Sequence, residues 1–276
     1  MGLTEVLIVL AAGVAAGAMN AVVGAGSLIT FPTLLALGVP PVVANVSNTV
    51  GLVPGSIAGA YGFRATLKGR GRLAFRLACA SAVGGVLGAV LLLALPSSTF
   101  DQVIPPLLLL AAILAAAQPR VSAWVARRRE ARATTDAADE AGAADAAASA
   151  ADDGPSVTDR PTPVLYVIVL LTGIYGGYFG AAQGVILLAV LGIFITGGMP
   201  QVNGIKNVLA GVANLLSATL FVFIADVNWT IVAMVAVGAT IGGLLGSRYG
   251  RRLPAGPLRA LVVTIALVAA VWRFLS

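Results

Sequence analysis

Lys206 lies early in a long apolar stretch, between Gly204 and Asn207. A lysine there can offer a compact positive charge to an anion, or its stem can carry the ammonium out to the membrane surface. Neutral hydrogen-bonding groups gather in comparable places. Asn20, Ser27, Asn45, Ser47, Asn48 and Thr49 lie in the first part of the chain, and Gln183, Asn203 and Asn207 in the second. Two glycine-rich breaks accompany them, one from Asn20 to Ser27 with Gly24 and Gly26, the other from Gly176 to Gly184. Glycine lets the backbone turn and approach a ligand closely. A helix starting after such a break presents free N–H groups and a positive dipole end. The chemistry on offer is reversible binding of an anion, and the candidate substrate-binding set is Asn20, Gly24, Gly26, Ser27, Ser47, Asn48, Gln183, Gly184, Lys206 and Asn207. Any one of them alone is equally well explained by helix capping or interhelical hydrogen bonding; the clustering at matched positions favours a site.

Other chemistry finds little support. The chain has no histidine and one cysteine, Cys79, which leaves no His-based triad, few routes to a metal site and no internal disulfide. Cys79 sits in an apolar helix, where an inert thiol is the default. No carboxylate falls clearly inside an apolar segment, where proton and cation carriers usually place one. No catalytic residue, metal or cofactor is therefore expected.

The elements that must position these residues are set by composition. Of 276 residues 59% are hydrophobic and only 10% charged, and the mean hydropathy is +0.98. A spanning helix needs roughly 20 mostly apolar residues. Candidate segments run over 6–37, 41–63, about 73–95, about 103–125, 164–196, about 202–225, 229–247 and 258–275. The first and fifth are too long for one helix, and each is interrupted by one of the glycine breaks. The expected fold is an all-α, multi-pass helical bundle. Between its halves, residues 127–162 lack aromatic residues and almost all branched aliphatic ones, so they cannot offset the entropy of ordering themselves. They read as a disordered, solvated linker with room for a short Ala-rich helix, dividing a first membrane repeat (1–126) from a second (163–276).

The net charge of +6 divides unevenly. The linker holds eight of eleven acids and five of seventeen bases, a net of −3, which leaves +9 on the membrane body. No basic patch falls on a soluble domain, so nucleic acid is not an expected partner. The bases gather at Arg64–Arg76, at Arg120 with Arg127–Arg129, and at Arg248–Arg259; these three regions are expected on the cytoplasmic side, with the linker, and Asp101 and Asp226 outside. Trp229, Tyr249 and Trp272 sit near segment ends, as interfacial aromatics do. The start resembles a signal peptide but lacks a basic n-region and contains Glu5, and it is expected to be retained.

The halves resemble each other. A shift of 160 superposes Gly13 on Gly173, Gly17 on Gly177, Gly24 on Gly184, Pro40 on Pro200 and Gly51 on Gly211; a shift of 158 brings Gly84 to Gly242 and Gly88 to Gly246. The charge pattern gives equivalent loops opposite sidedness, so the repeats are inverted, each a broken or re-entrant hairpin plus three spanning helices. Irregular backbone at such depth must be buried or line a wet cavity. Eight ordinary spans with parallel halves are the competing arrangement.

Gly17-Ala-Met-Asn-Ala-Val-Val-Gly-Ala-Gly-Ser-Leu-Ile-Thr-Phe-Pro32, the Gly38-Val-Pro40 turn followed by Ala44–Asn48, and the second copy Gly173–Gly184 with Gly198-Met-Pro200 and Lys206 resemble the TauE/SafE family of bacterial membrane proteins, the sulfite exporter type. The resemblance covers both halves and leaves out the linker. It implies a transporter of sulfite, organosulfonates or related small anions in the cytoplasmic membrane. The second copy departs from the family pattern at Ala181-Ala-Gln183-Gly184, which bears on substrate more than on fold. The combined reading is a secondary transporter that binds a small anion between the two breaks and works by alternating access. A carrier for another small anion or a neutral metabolite, or a membrane-embedded scaffold or enzyme, are the alternatives. Coupling ion, direction and oligomeric state are not legible in the sequence.

Overall fold

The computed structural model describes residues 2–67, 69–146, 162–195 and 198–249 with positions 260, 263 and 264; for residue 129 and residues 131–146 it describes backbone only. Among the described residues the chain is helical, with no strand. The helices are α1 (Leu3–Val22), α2 (Ser27–Ala36), α3 (Pro41–Gly62), α4 (Gly71–Ala94), α5 (Ser97–Ala146), α6 (Pro163–Tyr178), α7 (Gln183–Phe194), α8 (Met199–Ile224) and α9 (Trp229–Tyr249). The expected segment at 258–275 lies almost wholly outside the described residues. Within 127–162, α5 continues as helix to Ala146; residues 147–161 lie outside the description.

Local chemistry sets the helix ends. Pro41 and Pro163 open α3 and α6, and Pro200 lies in the first turn of α8, where a missing N–H costs nothing. Both glycine breaks end a helix the same way. Val23 and Gly24 both donate to the Met19 carbonyl, and Phe179 and Gly180 both donate to that of Tyr175. Gly24 and Gly180 take positive φ, 82° and 74°, the left-handed cap that glycine adopts without strain.

Among the described residues, five helical segments are long and apolar enough to cross a membrane: Leu3–Val22, Gly71–Ala94, Ser97–Arg128, Met199–Ile224 and Trp229–Tyr249. The 22-residue α3 has the length of a span but carries Asn45, Ser47, Asn48, Thr49 and Ser56, all buried against other helices. Phe75, Leu87, Leu171, Phe223, Val237 and Ile241 are exposed, as expected of a belt facing lipid tails.

Packing is governed by small residues, because lipid supplies no hydrophobic drive between helices and close van der Waals contact must do so. Gly13 lies against Val235 and Gly238, Gly17 against Ala239, and Gly246 against Ala18, so α1 and α9 run parallel. On the same α9, Gly51 meets Val235, Gly55 meets Ala239 and Gly62 meets Ser247, so α3 is parallel as well. The second trio repeats the pattern. Gly84 faces Leu170 and Gly173, Gly88 faces Ile174 and Tyr178, and Gly85 faces Ala213, while Ser81 Oγ donates to the Leu209 carbonyl. Thus α4, α6 and α8 are parallel to one another. Between the trios, Gly211 meets Ser56 and Gly204 meets Thr66, an antiparallel crossing of α8 with α3.

The molecule is therefore two inverted units, but they are not the two halves of the chain. Each trio borrows one helix from the other half: α9 packs with α1 and α3, and α4 packs with α6 and α8. The matching environments also correct the register. Gly84 and Gly88 occupy the places of Gly238 and Gly242, a shift of 154 in place of 158, and Gly51 and Gly55 match Leu209 and Ala213, a shift of 158 in place of 160; α1 and α6 keep the shift of 160, since Gly238 meets Leu10, Gly13 and Val14 where Gly84 meets Leu170, Gly173 and Ile174, although as a helix cap Gly24 matches Gly180. The reason is physical. Glycines recurring every four residues look alike after a slip of one helical turn, so sequence superposition cannot tell one turn from the next.

The parallel course of α1 and α3 settles the hairpin. After the break, the short α2 must carry the chain back to the end where α1 began, and α7 does the same for α6. The hairpins are unequal, with long arms of 20 and 16 residues and short returning arms of 10 and 12.

Candidate functional site

The long arms end inside the protein, and their last carbonyls need partners. At the end of α1 those partners come from α8. Lys206 Nζ donates to the carbonyls of Ala21 and Val22 at 3.3 and 3.4 Å, and Asn207 Nδ2 donates to Ala21 at 3.2 Å. Lys206 is fully buried, so its ammonium does not reach the membrane surface. No carboxylate forms an ion pair with it among the described residues. Its charge is met in part by the negative end of the α1 dipole, roughly half an elementary charge. Two of its three donors meet these carbonyls.

Beside this cluster is a cavity of about 660 Å³, lined by Val22, Gly62, Phe63, Thr66, Asn203 and Arg248 among others. It lies between the ends of α3, α8 and α9, at the base-rich end of the molecule. Val22 and Asn203 link cavity and lysine: one supplies a carbonyl to Lys206, the other precedes it by three residues on α8. Asn203 Oδ1 is buried without a hydrogen-bond partner among the described residues.

The opposite end is closed by rings. Phe31 of α2 and Phe179 pack edge to face with centroids 5.2 Å apart. Phe100 of α5 meets Tyr178 at 5.7 Å and Phe179 at 6.4 Å. Phe31, Phe100 and Phe179 are all buried. Between the cavity and this stack the two breaks touch, with Gly184 N–H donating to the Gly24 carbonyl at 3.1 Å.

The residues singled out from the sequence fall into separate places. Lys206 and Asn207 meet the end of α1. Asn20, whose Nδ2 donates to Ser56 Oγ at 3.3 Å, lies on that same last turn. Gly24 and Gly184 form the contact between breaks. Gly26 packs on Ala16 and the Asn20 side chain, in the last two turns of α1, so α2 starts beside those turns with half-buried Ser27 first. Asn48 is elsewhere, accepting from Thr30 Oγ1 on the closed side. Gln183 turns onto its own hairpin, donating to the Thr172 carbonyl at 3.3 Å. Ser47 accepts from the Asn228 backbone N–H at 2.9 Å, fastening the loop between α8 and α9.

Two residues outside the candidate set belong beside it. Asn203 lines the cavity, and Asn45, buried on α3, donates to the Tyr178 carbonyl at 3.0 Å while its Oδ1 lacks a partner among the described residues. Their equivalence under the corrected shift is the signal that could have found them.

Fold and site together define a multi-pass helical membrane protein with paired broken hairpins, the architecture of a membrane transporter. The model of the Sulfite exporter TauE/SafE family matches residues 9–273, and the chain belongs to that family. A probable membrane transporter protein, ORF9, of a Sinorhizobium species is 24% identical over 260 residues, covering 93% of this chain and 87% of the relative. A probable membrane transporter protein of Haemophilus influenzae is 21% identical over 273 residues, covering 97% and 94%. No solved structure matches.

Proposed function

We propose that the protein carries a small anion, of the sulfite or organosulfonate class, across the bacterial cytoplasmic membrane by alternating access. The observation that carries this reading is Lys206: a fully buried ammonium with no acidic partner among the described residues, bound to two carbonyls and neighbouring a cavity at the base-rich end. An unpaired buried cation is costly, and an entering anion offsets that cost. The base-rich end is assigned to the cytoplasm by the positive-inside rule, which puts the linker there also. The arrangement then corresponds to an inward-facing state, open at the cavity and closed by the aromatic stack. Movement of one trio against the other, with the breaks between them, exchanges the two openings.

The test is counterflow in proteoliposomes loaded with sulfite, with taurine-like sulfonate, sulfate, chloride or a neutral amino acid outside. Exchange with sulfite or sulfonate above the rate with the neutral solute supports the reading. Exchange only with the neutral solute overturns it.

A further inference from the structure

The close contacts of α4 with α6 are made at Gly84, Gly88 and Gly173. Toward the base-rich end neither helix has a glycine, from Arg72 to Val83 on one and from Pro163 to Thr172 on the other, so side chains hold the backbones apart. A groove of about 400 Å³ opens there, lined by Arg76, Cys79, Ala80, Val83, Tyr166 and Val167 among others. Arg76, Cys79, Val83 and Val167 are exposed, whereas Leu77, Leu165 and Val169 on the inner side of the same helices are buried. The groove therefore faces the surrounding bilayer and is separate from the cavity beside Lys206. One helical turn further on it continues into exposed Leu87 and Leu171.

We propose that this groove binds an anionic phospholipid, with the phosphate at Arg76 and an acyl chain along Cys79, Ala80 and Val83. Arg76 is the one charged residue in the lining, and no helix of its trio, α4, α6 or α8, carries an acid. Tyr166, half-buried in the first turn of α6, adds a hydroxyl donor beside it. That first turn has no side-chain cap and no acid, so the positive end of the α6 dipole reinforces the arginine. The seven residues from Arg76 to Val83 lead ~10 Å inward, from headgroup level toward hydrocarbon, and the small side chains of Cys79 and Ala80 leave room for a chain. A basic head on an apolar groove between helices matches both parts of an anionic lipid. A free phosphate would meet the cation but gain nothing from the apolar walls. A second copy packed here about a twofold axis would set Arg76 against its own counterpart. Bound lipid would touch α4 from the first half of the chain and α6 from the second, and so fasten the trio.

The test uses the delipidated full chain in a neutral detergent, titrated with phosphatidylglycerol or with phosphatidylcholine of the same acyl chains. Native mass spectrometry counts bound lipid and thermal unfolding reads the stabilisation. An arginine near the membrane surface favours an anionic lipid about fivefold, so phosphatidylglycerol should bind about fivefold more tightly and raise the midpoint further. Arg76→Gln should abolish the preference. Cys79→Phe, which fills the groove from an exposed position, should lower retention of both lipids. Arg120→Gln, at an exposed base of α5 outside the groove, should change neither. On the unaltered protein, glycerol phosphate, which has the headgroup but no chains, should not stabilise. The proposal is overturned by equal binding of the two lipids, by a preference that survives Arg76→Gln, or by one that Arg120→Gln lowers as much. It is overturned also by stabilisation with glycerol phosphate equal to that with lipid, or by a dimer that Cys79→Phe dissociates in place of bound lipid.

Discussion

The contact between the two breaks can be tested by adding a single carbon. A Cβ on Gly24 would stand 2.3 Å from the Gly184 Cα and 2.8 Å from its carbonyl carbon, about 1 Å inside ordinary contact and against backbone that cannot swing away. Gly24 also holds a φ of 82°, which costs an L-residue about 1–2 kcal/mol. Overpacking adds about 1–3 kcal/mol. Gly38 separates the two contributions, since it has nearly the same φ, 78°, but nothing within 4 Å of where a methyl would stand. Gly38→Ala therefore measures the backbone cost alone, and Gly24→Ala should exceed it by about 1–3 kcal/mol, or roughly 3–10 °C in unfolding midpoint on the scale of chains this size. Thermal unfolding in detergent reads the first quantity and proteoliposome flux per folded protein reads the second. Gly24→Ala should lose flux because the hairpin tips are forced apart; Gly38→Ala should keep it. Equal midpoints and equal flux in the two variants would refute the claim that the breaks meet.

Three further outcomes follow from the same geometry. Phe179→Ala removes the ring shared by two of the three edge-to-face contacts and should raise passive anion leak through vesicles, measured as efflux of preloaded label; leak unchanged from the unaltered protein contradicts closure by the stack. With Cys79 replaced by Ala, a cysteine at Thr66 should react with an impermeant maleimide only from the cytoplasmic face and one at Asn228 only from the outer face; labelling of both from one face contradicts the inverted arrangement. Gly88→Ala drives a methyl to 2.0 Å from the Ile174 carbonyl oxygen and should lower the unfolding midpoint far more than Gly59→Ala, whose methyl meets Ala21 Cβ at 3.5 Å; similar midpoints contradict the tight pairing of α4 with α6.

Much of the architecture could be read from residue types. The charge segregation grouped the base-rich ends of α3 and α9 together, as the structure has them, and the breaks at Gly24 and Gly180 announced hairpins, since both features are local. The exchange of α4 and α9 between units was not legible, because hydropathy says that a helix is apolar and not which neighbour it packs on. The register slipped by a helical turn for a related reason: Gly84 and Gly88 resemble Gly242 and Gly246 as well as they resemble Gly238 and Gly242. At the site, Lys206 was legible as an anomaly, but its partners are main-chain carbonyls that leave no mark in the sequence. Ser47 shows the converse. It sits in a polar run of promising composition, yet its hydroxyl is spent on the backbone of Asn228.

The central claim is that Lys206 provides charge to an anion and does more than cap α1. Lys206→Gln separates these roles, because a glutamine can still donate to the carbonyls of Ala21 and Val22 but carries no charge. A hydrogen bond to a charged group contributes about 1.5–3 kcal/mol, so labelled sulfite flux at subsaturating concentration should fall about 10- to 100-fold, with the unfolding midpoint nearly unchanged. Flux equal to that of the unaltered protein, at matched amounts of folded transporter, would contradict the account.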